Sequence, residues 1–380
     1  MSDYYQRALA VTPGASQTFS RMHGKMGPTT FPAIATRAEG PYIWDIDGHR
    51  YIDLAGANAS APLGFNHQRI VQAVRDELGH GGTLSLPTKL EVEASEAMID
   101  TVPFGDMVRW VRTGSEAVSG AIRTARRVTG KELVIVFDGS YHGWHPWTEC
   151  DYTKASVEVE EVEDGGLSYA DAAAVLVEPP RMGPVTSEYI DWLRRLRREC
   201  TDHGVALIYD DVVFGFRFHS MGLLGVTKVA PDMACFSKAL GNGVPVGCFV
   251  GREDWMRETP VSSTFGGETT GLAAAKAVLS MHKEQDVCAD LRAIGVKLRN
   301  GLQVALEGSP VTLEGMPVHF RFNASPTILD AFLTACVKRG ILIHRAANNA
   351  SLALTQAVRN DICEVVHVAG REVGAIHDRQ

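Results

Sequence analysis

In PDMACFSKALGNGVPVGCFV, residues 231–250, a single lysine, Lys238, stands between an apolar run and a glycine-rich turn. Ala234, Cys235, Phe236 and Ser237 read as a short buried strand, and Gly241, Gly243 and Gly247 mark tight bending of the backbone. Desolvation at the end of such a strand lowers the pKa of an amine, and the neutral amine is the form that condenses with a carbonyl to a Schiff base. The same lysine can also reach solvent on its long stem, so its role rests on the residues brought near it.

Three further clusters carry chemistry. In RTGSEAVSGAIRTARR, Gly114 and Ser115 open a helix whose buried side is Val118, Ile122 and Ala125. A glycine and a hydroxyl at a helix start suit a phosphate, although Ser115 can equally serve as an N-cap. In FDGSYHGWH, Gly139 and Gly143 bracket Tyr141 and His142, where an aromatic ring can stack on a flat ligand or simply pack its loop. In IYDDVVFGF, Asp210 ends an apolar run and Val212 lies just beyond it. A carboxylate there can hold a proton on a ring nitrogen while a β-branched residue presses on the ring face; Asp210 or Asp211 can also cap the next turn or bind Mg²⁺. A phosphate cradle, a stacking aromatic, an aspartate and a buried lysine in this order point to pyridoxal 5'-phosphate (PLP), which needs each of these parts.

These clusters follow apolar runs at 108–111, 133–137, 173–178, 206–210 and 233–237, which alternate with helical stretches. The alternation predicts an α/β fold with a mostly parallel sheet flanked by helices, in which ligands bind beyond the carboxyl ends of the strands. Tyr42, Trp44 and Ile46 alternate with polar residues before an Asp47-Gly48 turn, the mark of a hairpin. Helical spacing covers Gln68 to Gly79, Pro87 to Thr101, and one long stretch from Leu272 to Leu306. The expected domains are an N-terminal arm and hairpin over 1–55 that form part of a small domain, a large PLP-binding domain over 56–280, and a small α+β domain over 281–380.

With 380 residues, 45% hydrophobic and 22% charged, the chain has the profile of a globular protein with a sizeable core. A net charge of -8 argues against nucleic-acid and membrane partners. Arg194, Arg195, Arg197 and Arg198 form the one dense basic cluster, in DWLRRLRREC, where Trp192, Leu193 and Leu196 supply a buried side; a solvated helix face is the expectation. The seven cysteines lack the spacing of a metal site or a disulfide framework, so no metal is expected and a reduced cytoplasm fits. The start, MSDYYQRALAVTPG, has no basic segment leading into an apolar core, and no run approaches the ~20 apolar residues of a membrane span.

From about Pro13 to the final helix the chain resembles the class III aminotransferases of the fold-type I PLP enzymes, and within them the glutamate-1-semialdehyde aminomutase branch. The motifs that carry the resemblance are WDIDGHRYIDL, GSEAVSGAIRTAR, FDGSYHGWH, IYDDVVFGFR, PDMACFSKALGNGVPVG and SSTFGGET. The resemblance implies that Lys238 carries the cofactor as an aldimine, that Asp210 contacts the pyridinium nitrogen, that Val212 and Tyr141 sandwich the ring with His142 beside it, and that Gly114 and Ser115 hold the phosphate. Lys238, Asp210 and Tyr141 form the implied catalytic set. Thr264 is implied to reach the phosphate of a neighbouring subunit, which makes the active unit a homodimer, and Arg21 is placed like an arginine that binds a substrate carboxylate. The expected activity moves an amino group from a small-molecule donor to an oxo acceptor through pyridoxamine phosphate. The alternatives are an intramolecular 2,1-aminomutase and a PLP-binding protein without turnover; retention of Lys238 with Asp210 argues against the second. The chain departs from the family pattern at Asp211, usually glutamate, at Gly267-Glu268-Thr269, usually Gly-Asn-Pro, and at Pro180-Arg181-Met182, an asparagine-containing loop in the aminomutase.

Overall fold

Residues 3–146, 154–157 and 169–377 are described by a computed structural model. They form two compact units, one of Met1–His67 with Ala289–Gln380, the other of Gln68–Cys288. The first unit opens with α1 (Asp3–Val11), β1 (Ala35–Glu39), β2 (Tyr42–Asp45) and β3 (Arg50–Asp53). β2 and β3 make the expected antiparallel hairpin, with Ile43 opposite Tyr51. Its turn is held by Asp45, whose Oδ1 accepts from Asp47 N at 3.0 Å and His49 N at 2.8 Å, and Gly48 takes a φ of +86° there.

The second unit contains α2 (Gln68–Leu78), α3 (Lys89–Thr101), β4 (Met107–Val111), α4 (Gly114–Thr129), β5 (Leu133–Phe137), β6 (Lys154–Val157), β7 (Ala172–Val177), α5 (Ser187–His203), β8 (Ala206–Asp210), β9 (Met233–Phe236), β10 (Gly247–Gly251) and α6 (Thr269–Glu284). Its strands form one sheet in the order β4-β10-β9-β8-β7-β5-β6. β9, β8, β7, β5 and β6 run parallel, and β10 is antiparallel to both β9 and β4. Alternation along the strands divides the apolar residues between two cores, which is why these strands read as continuous apolar runs. Ile135, Val175, Leu207 and Phe236 face one core, covered by α3, α5 and α6; Val134, Leu176, Ile208 and Cys235 face the other, covered by α4.

Two features differ from the sequence expectation. Gly247, read as part of the bending segment, begins strand β10, and a side chain there would meet Thr113 O at 2.7 Å. The long helical pattern from Leu272 to Leu306 is two helices, α6 and α7 (Val287–Ala305). Lys283 to Asp286 are all exposed, a full turn with nothing to bury, and Gln285 takes extended angles (φ −153°, ψ 158°).

The first unit resumes within α7 and continues through β11 (Thr312–Met316), β12 (His319–Asn323), α8 (Pro326–Val337), β13 (Ile341–Leu342), β14 (Asn348–Asn349) and α9 (Gln356–His377). β13 joins β3 in parallel to complete a four-stranded sheet, and β11, β12 and β14 form a second sheet. Leu54, Phe320, Phe322, Phe332 and Ile362 are buried in the core of this unit.

The close approach of α4 to β10 in the second unit depends on Gly120: a Cβ there would lie 2.5 Å from Phe249 Cε1. Gly120→Val is therefore expected to overpack this face and destabilise the fold by about 1–3 kcal/mol. Urea unfolding checks it, the expected outcome being a lower midpoint at unchanged slope.

Candidate active site

β8 and β9 lie side by side in parallel register, with Asp210 opposite Cys235, and Lys238 follows Cys235 by three residues. The turn that carries the lysine is tied down on both sides. Ser237 Oγ donates to Val246 O at 2.7 Å, and Gly241 N donates to Lys238 O at 3.1 Å. Lys238 itself has a φ of +44°, a left-handed conformation that strains a residue with a side chain and persists only where the surroundings impose it. Burial pushes the Lys238 amine down from its ordinary value; the carboxylates of Asp210 and Glu178 pull it up, and the guanidinium groups of Arg217 and Arg181 push it further down. The result is a lowered amine beside a carboxylate.

Asp210 is 4% exposed. His142 Nδ1 donates to its Oδ2 at 2.8 Å, and Val212 N donates to its Oδ1 at 3.2 Å. His142 is buried as well, and its Nε2 has no hydrogen-bond partner among the described residues. Asp211, one residue on, takes the capping role considered for this pair: its Oδ1 accepts from Leu223 N at 2.9 Å, at the start of the short helix Gly222–Thr227. Burial pushes the Asp211 carboxyl well above the usual range, and the bond from Leu223 only partly offsets it. The neighbouring Asp210 raises it further.

The start of α4 settles the role of Thr113. Its side chain accepts from Glu116 N at 3.2 Å, and the Glu116 carboxylate returns to Thr113 N at 2.9 Å, a reciprocal cap. Capping therefore does not engage Ser115. Two glycines let three segments close around this helix start. A Cβ on Gly114 would lie 2.8 Å from Val212 Cγ1, and one on Gly143, which also has a φ of +99°, would lie 2.4 Å from Ser115 Oγ.

Tyr141 is 57% exposed, and its backbone N–H donates to Glu178 Oε2 at 2.9 Å. Glu178 follows β7, and its Oε1 pairs with Arg181 Nε at 3.2 Å; Arg181 Nη2 in turn donates to Gly139 O at 3.2 Å. Burial pushes the Glu178 carboxyl up, Asp210 adds to the rise, and Arg181 opposes it.

Gly114, Ser115, Tyr141, His142, Asp210, Val212 and Lys238 all line one cavity of about 170 Å³ at the carboxyl ends of the strands. Glu178, Val213 and Ser237 line it too and were not identified from sequence. For Glu178 a signal existed, since a carboxylate that directly follows the apolar run Ala172–Val177 and precedes Pro179-Pro180 is a charge placed where burial is costly. Thr264 is exposed in the turn before α6 and is not among the lining residues. Arg21 belongs to the first unit, where its Nε donates to Thr18 Oγ1 at 3.1 Å and its side chain borders a cavity shared with Asp45, Tyr51 and Asp53.

The residues fit pyridoxal phosphate. A lowered amine is present for its carbonyl, a buried carboxylate for its ring nitrogen, an apolar and an aromatic side chain for its faces, and a glycine-serine helix start for its phosphate. The glycines at 114 and 143 keep open a space that side chains would close.

Residues 24–149 and 148–358 match the family described as aminotransferase class-III. A glutamate-1-semialdehyde 2,1-aminomutase of Bordetella avium (strain 197N) is 34% identical over 82% of this chain and 80% of its own length. Among solved structures, the PLP internal aldimine form of the FumI protein of Sphingopyxis sp. MTA144 superposes with a TM-score of 0.89 at 26% identity, covering 98% of this chain and 95% of that one. An omega-transaminase from Sphaerobacter thermophilus shares the fold with a TM-score of 0.86 at 23% identity, covering 98% and 97%. The chain belongs to the class III aminotransferases, PLP-dependent enzymes of fold type I.

Proposed function

We propose that this enzyme transfers an amino group between a small amino donor and an oxo acceptor, with Lys238 as the group that moves the proton. The observation that carries the reading is the lowered Lys238 amine in one cavity with the Asp210–His142 pair. When bound, pyridoxal phosphate supplies an electron sink that allows a C–H bond next to the amino nitrogen to break as a proton. The chain's own residues divide the remaining work. The α4 start at Gly114 and Ser115 seats the phosphate, where the helix dipole favours an anion. Val212 and Tyr141 hold the ring from its two faces, and Asp210, fixed in place by His142 Nδ1 and Val212 N, retains a proton on the ring nitrogen. Lys238, neutral at a lower pH than an exposed lysine, takes the proton from substrate carbon and returns it.

The exposed position of Thr264, away from the cavity of its own unit, supports a homodimer in which it reaches a neighbour's phosphate. The free cysteines Cys200, Cys235, Cys248, Cys288 and Cys336, all buried, support a reducing, cytoplasmic setting. A second reading, intramolecular transfer in the manner of a 2,1-aminomutase, is favoured by the names of the curated relatives. The departure at Pro180-Arg181-Met182 from the asparagine-containing loop of the aminomutase supports intermolecular transfer instead; Arg181 there pairs with Glu178.

The PLP form, given glutamate, alanine or a diamine without acceptor, is expected to convert fully to pyridoxamine phosphate with one of them and to release its oxo product. Loss of the long-wavelength absorbance checks this. Isomerisation of an amino-aldehyde without net release would instead establish the aminomutase. Lys238→Ala is expected to lower the rate of that half-reaction by about 10²–10⁴-fold.

A second prediction concerns pH and the protein without cofactor. Asp210 raises the pKa of Lys238, so Asp210→Asn should move the pH midpoint for acylation of Lys238 further down, away from the ordinary lysine range. Residue-resolved mass spectrometry after brief labelling across a pH series checks the direction; an upward move would contradict the assignment of Asp210 as the charge that raises Lys238 most.

A further inference from the structure

The one basic cluster of the sequence is at the opposite end of the sheet from Lys238. Asp232 directly precedes β9 and Lys238 comes after it, beyond Ser237, so the four residues of the strand alone separate them by about 13 Å at the usual rise of 3.3 Å per residue. Arg252 directly follows β10, whose Gly251 pairs with Met233, and Lys228 lies in the segment that leads into Asp232. With Arg194, Arg197 and Arg198 from α5, these residues line a concavity of about 460 Å³. Phe104, Val229 and Pro231 give it an apolar floor.

This concavity is built from beneath. Asp232 is 2% exposed, and its Oδ2 accepts from Arg197 Nη1 at 2.7 Å and from Leu207 N at 2.8 Å, while its Oδ1 accepts from Arg252 Nη1 at 3.1 Å. One buried carboxylate thus fixes two guanidinium groups, which removes much of the ordering cost that an anion would otherwise meet. Arg194 pairs with Asp191 at 2.8 Å, and Arg252 pairs also with Asp254. Arg198 and Lys228 have no carboxylate partner among the described residues; Lys228 Nζ donates to Gly225 O at 2.7 Å. Three of these five cations pair directly with three carboxylates, Asp191, Asp232 and Asp254, which leaves two positive charges in a concave site on a chain whose net charge is -8. A solvated helix face explains Arg195, which is not among the lining residues, but not the convergence of Lys228 and Arg252 from two other segments.

We propose that this concavity binds an organic phosphate monoester, a dianion attached to an apolar body. The dianion matches the excess of two charges, guanidinium forks match phosphate oxygens, and the apolar floor distinguishes an ester from inorganic phosphate. The site is separate from the phosphate seat at the α4 start, which lies at the carboxyl ends of the strands.

Calorimetric titration of the PLP-loaded enzyme tests this, since its own phosphate seat is then already filled. Phenyl phosphate is expected to bind saturably at one site per chain and more tightly than inorganic phosphate. The double variant Arg198→Glu, Lys228→Glu, both exposed residues, is expected to weaken phenyl phosphate by about tenfold or more. PLP absorbance and far-UV circular dichroism establish that the variant is folded, and the milder Arg198→Gln serves if it is not. Absence of saturable binding to the wild-type protein at millimolar concentration, or equal affinity in the folded variants, overturns the site. Equal affinity for inorganic phosphate and phenyl phosphate overturns its assignment to an ester.

Discussion

The pairing of β8 with β9 is the constraint on which the active site depends. In parallel register, Asp210 sits opposite Cys235, and the chain then needs only a tight turn to bring Lys238 back beside that carboxylate. Because side chains alternate along a strand, a slip of one residue would exchange Asp210 with Asp211. The two aspartates are chemically alike in sequence and opposite in circumstance. Asp210 meets His142 and the cavity, whereas Asp211 is directed at Leu223 N and Gly222, where a Cβ would come within 2.1 Å of its Oδ2. The apolar alternation that fixes the two cores of the sheet therefore also decides which carboxylate works.

That division has an electrostatic consequence. Three carboxyl groups, Asp210, Asp211 and Glu178, crowd the ends of neighbouring strands, and each added negative charge raises the cost of the next. Burial pushes both Asp211 and Glu178 upward, and Arg181 partly relieves Glu178. His142 Nδ1 and Val212 N bond directly to Asp210, while Tyr141 N and Arg181 bond to Glu178, so each of the two carboxylates that line the cavity with Lys238 is held by its own pair of partners. The lysine responds to the same field: burial alone would lower its amine most, and the surrounding carboxylates limit that fall.

The parts legible in sequence were those with a local signature. Apolar runs gave the strands, the Asp47-Gly48 turn gave the hairpin, and a residue of special chemistry beyond each run gave Lys238, Asp210, Tyr141 and Gly114. What escaped depends on partners distant in the chain. Glu178 becomes a site residue only because Tyr141 N and Arg181 come to it. Ser115 reads as a possible cap, yet the cap is Thr113, two residues before it, through reciprocal bonds with Glu116, and the antiparallel insertion of β10 between β4 and β9 has no local signal at all. The break between α6 and α7 is written in four consecutive polar residues, but a helical period that resumes in phase conceals it.

The departure from the family pattern at Gly267-Glu268-Thr269 also acquires a physical reason. Glu268 caps α6, accepting from Thr270 N and Gly271 N at 3.0 Å each, and pairs with Arg112. Burial would push its carboxyl up, but these bonds and the Arg112 charge together bring it below its ordinary value. Arg112 leads directly into Thr113 and Gly114, and its own N–H donates to Glu116 Oε2 at 2.8 Å. Glu268 is therefore tied, through a single arginine, to the helix start at which Gly114 and Ser115 sit. An asparagine-proline pair at 268–269 would remove the Thr269 N–H that donates to Gly82 O at 2.8 Å, and would shorten the side chain that reaches Arg112. The substitution thus exchanges one way of fixing the turn before α6 for another, and it bears on the support of the cofactor seat, since Glu268 does not line the cavity where substrate chemistry is placed.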